Sequence, residues 1–505
     1  MNPNETQLDR LGAALGQVAR HPQAAVALLA VASLLVSLAI GTVVLQWFPN
    51  SGDEYASLFQ AWTYAAGRLW DAAPPVPEFF ETNYVYMAEG RAFGVFPPGW
   101  PLVLAGAMRA GVPDWMVNPF LGAITIWLVY LLGRRLDGVP EGLVAASLVA
   151  ISPFFLFNAA SYFAHTLCGV AVLAGVIAAD RYAERGRPLD ALVLGAAIGV
   201  AVLARYYTGV LCALPILLII ARPLNRLLRA IPWIIIGGLP FAGFLLLYNQ
   251  ALSGSAWRLS LSGVALYSEH WFAGNWFLRG FDILGTHLLR YLLWTPPAFI
   301  FLAVVLAVAE LRGRNPNGSR RFDRRRGALV LVSVALIVGM FPYTDRGGNQ
   351  YGPRYYYEAF PSLAVFVVGA LSARLRAAEA PSAVASARRM VMALLASVTL
   401  VVPLMAWHVY QERRVIDERT DVYRQVSRAG LRNAIVLIGG RVGRVRSMAA
   451  ADLTRNGITW DAPVLYALDR GKAVAALAEA FPDRTLYRYT YDRNAGVGRL
   501  EPAAW

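Results

Sequence analysis

Residues 24–48, AAVALLAVASLLVSLAIGTVVLQWF, contain no Asp, Glu, Lys or Arg, and Pro49-Asn50-Ser51-Gly52-Asp53-Glu54-Tyr55 follows at once. About 20 helical residues cross a hydrocarbon core of roughly 30 Å, so the run predicts a membrane span. Pro49 and Gly52 end that helix and leave two carboxylates at the membrane surface. A carboxylate pair beside lipid points to chemistry on a substrate that arrives through the bilayer. The run is too long for a signal-peptide core, so an uncleaved anchor is expected.

The rest of the composition agrees with a membrane protein. The 505 residues are 57% hydrophobic and 15% charged, with a mean hydropathy of +0.46, whereas soluble domains carry about 25% charged residues. The net charge of +14 comes from arginine clusters between apolar runs, and Lys472 is the only lysine among 46 basic residues. Clusters so placed are topology determinants, and nucleic acid is not an expected partner. Cys168 and Cys212 fall inside apolar runs, and the five histidines are scattered. Buried thiols are the expectation, with no zinc site.

Eleven apolar runs recur, at about 24–48, 115–133, 142–158, 164–179, 189–204, 206–221, 231–248, 293–309, 328–342, 359–373 and 390–408. The expected fold class is an α-helical polytopic membrane protein of about 11 transmembrane helices with a small C-terminal soluble α/β domain. With 97–133 counted as one crossing and an inside N-terminus, Arg134-Arg135, Arg181/Arg185/Arg187 and Arg222/Arg226/Arg229 all lie inside. So do the run Arg312 to Arg326 and the group Arg374/Arg376/Arg388/Arg389. Counting 97–112 as a separate span would reverse everything after it, against the positive-inside rule. The outer face then receives the loops 49–96, 249–292 and 343–358, a short turn at Ser161–His165, and the tail from 409. The first loop is acidic and the second aromatic, which predicts amphipathic pieces along the interface. Residues 1–408 are expected to form the catalytic membrane domain and 409–505 an extracytoplasmic α/β domain. Its expected strands are 433–438, 464–467 and 485–489, and its helix 472–481. Gly439-Gly440 with Gly443 reads as a tight turn rather than a dinucleotide fingerprint.

Three constellations could carry chemistry. Asp53-Glu54 reads either as a helix N-terminus with Asp53 as cap, or as a working pair. Adjacent helical residues point about 100° apart, so one acid would act and the other would position the loop or bind an ion; Asp53 is favoured. Arg205-Tyr206-Tyr207 sits in a tight turn between two apolar runs. It reads as an interfacial anchor or, because Arg205 lies against the charge bias, as a ligand for a phosphate. The segment Gly347–Glu358 mixes glycines, Arg354, Tyr351, Tyr355 and Glu358 next to a membrane, and His165 is expected to face the same side. These are candidates for substrate binding.

Together these elements resemble the GT-C superfamily of membrane glycosyltransferases, nearest to the protein-mannosyltransferase and aminoarabinose-transferase branch. The resemblance covers roughly 24–375 and rests on several weak motifs. These are Asp53-Glu54, Phe96-Pro97-Pro98-Gly99-Trp100-Pro101, Leu131–Leu136, Arg205 and Arg354–Glu358. It implies that the chain moves a sugar from a polyprenyl-phosphate donor to an extracytoplasmic glycan, lipid or protein acceptor, with inversion. It also implies that Asp53 is the base and that outer-face arginines, Arg205 and Arg354 with Tyr206 beside them, bind the lipid phosphate. Many relatives carry a second acid in the next outer turn, where this chain has Ser161-Tyr162-Phe163-Ala164-His165. No cofactor is required by this reading, and a divalent metal (Mg or Mn) at Asp53/Glu54 is optional. The expected location is the bacterial inner membrane. A lipid-linked-sugar flippase would show mid-span charges or repeated halves, and neither occurs. A membrane-anchored assembly module would leave the polar loops 49–96 and 343–358 without a purpose.

Overall fold

The computed structural model describes residues 20–260, 270–312, 323–347, 351–444, 446 and 448–503. Parts of the expected outer loops (261–269 and 348–350) and of the arginine run (313–322) lie outside the described residues.

Each apolar run falls on a helix. The first is α1, Pro22–Ala39, continued by a wider π turn over Ile40–Leu45. Gln46 and Trp47 then take left-handed φ values of 53° and 50°, which turn the chain off the membrane axis. Among the described residues, six helices are long and apolar enough to cross a membrane, or eight when each of two bent pairs is one span. The remaining runs lie on three shorter helices. Two are apolar, α8 (Pro188–Ala204) and α9 (Tyr206–Ile220). The third, α13 (Arg324–Met340), begins with three arginines.

Residues 97–133 form α3 (Gly99–Arg109), a short 3-10 turn, and α4 (Val117–Leu136), and in this stretch Asp114–Leu136 alone is long and apolar enough to cross a membrane. Gly111, with φ 74°, and Pro113 separate them, because neither a left-handed residue nor a proline continues a helix. The helix α3 packs against α2 (Gly52–Ala65). With a small antiparallel sheet, of order β1 (Asp71–Ala72), β3 (Arg91–Gly94), β2 (Val85–Ala88), these helices build the first outer loop.

The spans pack through small residues. Beyond α5 (Val139–Ala150), α6 (Pro153–Ala159) and α7 (His165–Arg185), α8 crosses α10 (Leu224–Ser253) with glycines at the contact. A methyl group on Gly195 would strike the Ile234 carbonyl, and one on Gly237 the Leu192 carbonyl. Such contacts let backbones approach where no hydrophobic effect drives helices together. The amphipathic α11 (Trp276–Trp294) meets α12 (Ala298–Arg312) at a bend of 119°. The helix α14 (Phe360–Ala377) is buried from Phe360 to Leu371 and forms the centre of the bundle.

After α15 (Pro381–Thr399), α16 runs unbroken from Val401 to Arg419. The expected boundary at 409 therefore falls inside a helix. Beyond it comes α17 (Asp421–Arg428), then a four-stranded sheet and α18 (Val474–Ala480). Parallel strands β7 (Val464–Leu468), β4 (Ala434–Ile438) and β8 (Thr485–Asp492) are joined by antiparallel β9 (Val497–Pro502). The three expected strands and the helix are present; β9 was not expected. Its sequence, Val497-Gly498-Arg499-Leu500-Glu501-Pro502, is polar and lies at the sheet edge, where alternation is weak.

Candidate active site

A cleft of about 920 Å³ opens where the first outer loop, the α8–α9 break and the 343–358 loop meet. Asp53, Arg205 and Arg354 all line it. They are its only charged side chains among the described residues. Around them stand Tyr84, Phe96, Trp100, Phe163, Tyr206, Tyr207, Trp271, Tyr343 and Tyr355.

Asp53 reaches the cleft because of how α2 starts. Ser51, not Asp53, is the N-cap: its Oγ accepts from the Glu54 amide at 3.3 Å, and its hydroxyl donates to Glu54 Oε2 at 3.3 Å. This reciprocal capping frees Asp53 to turn toward the cleft. There its Oδ2 accepts from Arg354 Nη1 at 2.6 Å. Glu54 points elsewhere, as the 100° step requires. It is 1% exposed, its Oε1 accepts from the Tyr162 amide at 3.0 Å, and it does not line the cleft. Burial pushes its carboxyl up to about 7, against the Tyr162 amide and the Arg455 guanidinium, which both pull it down. The two acids do not converge: Asp53 faces the cleft, and Glu54 is tied to the Tyr162 amide outside it. Among the described residues no group of three His, Cys, Asp or Glu could hold a metal.

Arg205 interrupts two helices. With φ −152° and ψ 95° it leaves α8 and starts α9. Its Nε donates to Thr208 Oγ1 at 3.3 Å and pairs with Glu358 Oε1 at 3.2 Å, and its Nη1 lies 3.2 Å from His165 Nε2. His165 Nδ1 is 3.1 Å from the same Glu358 oxygen. His165 and Glu358 are fully buried and do not line the cleft. Expected as substrate contacts, they stand behind Arg205 and fix its fork. A guanidinium set beside apolar spans is costly to desolvate, and such partners offset that cost.

In the other loop Gly352, at φ 86°, turns the chain against Phe154 and Trp294. The 3-10 turn Arg354–Ala359 follows. The Arg354 guanidinium lies over Phe163 at 4.6 Å and over Tyr355 at 5.2 Å, and its Nε donates to the Gly347 carbonyl at 2.8 Å. Tyr355 and Tyr206 face the cleft; Tyr351 does not. It is fully buried against Phe157 and Phe163. Sequence reasoning missed Tyr84, Trp271 and Tyr343 as cleft residues. Trp100 was quoted only as part of a motif; it lines the cleft while its indole N–H donates to the Tyr162 carbonyl at 2.7 Å.

Residues 97–248 match the family described as dolichyl-phosphate-mannose-protein mannosyltransferase. Residues 451–502 match a domain described as one of unknown function (DUF7846). No curated protein sequence matches the chain. Among solved structures, the archaeal oligosaccharyltransferase AglB from Archaeoglobus fulgidus, in complex with an inhibitory peptide and a dolichol-phosphate, superposes with a TM-score of 0.53. It is 11% identical, over 97% of this chain and 75% of that one. ArnT from Cupriavidus metallidurans, bound to undecaprenyl phosphate, gives a TM-score of 0.48 at 14% identity, over 90% of this chain and 89% of that one. The arabinofuranosyltransferase AftD from Mycobacteria gives 0.43 at 14% identity, over 87% of this chain and 31% of that one. The apolar helices, the family match over 97–248 and the superposition on AglB together give a multi-pass membrane protein with the GT-C fold.

Proposed function

We propose that the protein transfers a sugar from a polyprenyl-phosphate donor to a hydroxyl acceptor at the outer face of a bacterial inner membrane, with inversion. The observation that carries this reading is the convergence of Asp53, Arg205 and Arg354 on one aromatic cleft. The acceptor oxygen attacks the anomeric carbon as the bond from that carbon to the phosphate oxygen breaks. The electron pair leaves with the polyprenyl phosphate, and the hydroxyl proton passes to Asp53. An alcohol is too weak an acid to give up its proton in advance, so the proton moves as the new bond forms. The departing phosphate gains negative charge, and Arg205 and Arg354 supply the opposite charge where it develops. Arg205 is preset by Glu358 and His165, so little reorganisation is needed. Aromatic walls suit both a sugar face and the first isoprene units. The acceptor is a cell-envelope glycan, a glycolipid or a protein.

The experiment is transfer by the purified protein in liposomes with a synthetic polyprenyl-phosphate sugar. Asp53→Asn should lose about 10²–10⁴-fold in turnover while donor binding persists. Arg205→Ala and Arg354→Ala should each weaken donor binding by about 1.5–3 kcal/mol, the value of a charge-assisted hydrogen bond. Near-normal turnover by Asp53→Asn would remove the base from the reaction. Unchanged donor affinity in both arginine variants would move the phosphate site elsewhere.

A further inference from the structure

The segment Asp452–Asn456 of the C-terminal unit does not line the cleft, and the proposed reaction makes no use of it. It nevertheless grips both ends of the loop that carries Asp53. The Asn456 amide donates to the Tyr55 hydroxyl at 3.0 Å, and that hydroxyl donates back to the Asn456 carbonyl at 2.5 Å. The Arg455 guanidinium donates to the Pro49 carbonyl and lies over the rings of Phe48 at 4.4 Å and Tyr55 at 5.3 Å. At the far end of the loop, Thr454 Oγ1 donates to the Glu81 carbonyl at 2.6 Å, and Asp452 Oδ1 accepts from Asn83 Nδ2 at 2.6 Å. Asn83 precedes Tyr84, which lines the cleft.

The first turn of α2 makes the purpose legible. Successive helical residues point about 100° apart, so Asp53, Glu54 and Tyr55 leave the helix in three directions. Asp53 faces the cleft and Glu54 is tied to Tyr162. Tyr55, 3% exposed, is held by Asn456. Rotation or sliding of α2 would move Asp53, and Glu54 alone restrains only one side. A base misplaced by about 1 Å can cost about 10²-fold in rate.

We propose that Asp452–Asn456 is a clamp that sets the position of Asp53, with Arg455, Asn456 and Tyr55 as positioning residues for the transfer step. This rests on the reading of Asp53 as the base. The clamp gives the C-terminal unit a role in the chemical step, beyond any contact with the acceptor.

The test uses the full-length protein in liposomes, with a synthetic polyprenyl-phosphate sugar as donor. Tyr55→Phe removes the hydroxyl that makes both backbone contacts. Arg455→Ala removes the guanidinium, and Arg455→Lys keeps a charge able to reach the Pro49 carbonyl. The clamp predicts kcat reduced ten- to hundredfold in the first two, donor KM within twofold of the parent, and partial recovery in Arg455→Lys. Asp452→Asn, which keeps the shape of the side chain, supplies a second measurement if Tyr55→Phe does not fold, and should show the same split in milder form. Unchanged kcat in folded variants, with Asp53→Asn inactive, overturns the clamp and leaves the base standing. A parallel rise in KM and fall in kcat also overturns it, since that reports collapse of the whole cleft. Normal turnover by Asp53→Asn overturns the base and the clamp together.

Discussion

Glu54 holds its carboxyl out of reach of water, and that has a measurable cost. Burial raises it from 4.5 to about 7, so between those values the folded protein binds more protons than the unfolded chain. Its contribution to stability is therefore fully present below about pH 4.5 and is lost as pH rises through about 7. Glu54→Gln should flatten the pH dependence of the unfolding midpoint across that window. A variant whose midpoint follows pH as steeply as the parent would show that Glu54 does not titrate there. The pair Asp53-Glu54 was conspicuous in the sequence because two carboxylates directly followed an apolar run. Which acid faced the cleft was decided by Ser51 taking the cap, a choice between equivalent side chains that spacing alone does not resolve. His165 and Glu358 were legible as polar residues beside spans. Their burial behind Arg205 depended on contacts 193 and 40 positions apart in the chain, which no local pattern records.

The element that positions Arg205 is the interruption between α8 and α9, and its placement depends on how closely α8 can approach α10. Gly195 and Gly237 set that distance. Gly237→Ala would push a methyl group into the Leu192 carbonyl, so the helices must separate or bend, at about 1–3 kcal/mol. The unfolding midpoint in detergent should fall. Donor affinity should fall with it, because Arg205 ends the displaced helix. An unchanged midpoint would show that the crossing can yield without cost. The apolar runs identified the helices well, since a 20-residue gap in charge has few other readings. The break at Arg205 was also visible, as a charged residue between two runs. The segment 97–112 was visible as a separate short apolar piece, set apart by its length and by Gly111-Val112-Pro113; that it packs on α2 was not.

At the scale of the molecule, the C-terminal unit and the loop 49–96 share one face, joined by Asn83–Asp452, Thr454–Glu81 and Trp460–Ala72 hydrogen bonds. If the arginine-rich connections are cytoplasmic, that face is extracytoplasmic. Cysteines introduced at the exposed Ser427 and Thr459 should then react with a membrane-impermeant thiol reagent in intact cells. Labelling only after lysis would put both the tail and the cleft inside. The composition of the tail announced a separate soluble unit; its docking was not announced, because the contacts are isolated side-chain hydrogen bonds that leave no periodic trace. The helix α16 adds further ties to the end of the first span. Gln46 Nε2 donates to Asp417 Oδ1 at 2.9 Å, Arg413 donates to the Val43 carbonyl, and Arg419 Nη1 donates to the Asn50 carbonyl at 2.6 Å. The loop holding Asp53 leaves the ribosome among the first segments of this sequence, whereas the groups that hold it emerge more than 350 residues later. During synthesis that loop lacks these ties until α16 and the segment after it arrive, so the last of its support is gained late.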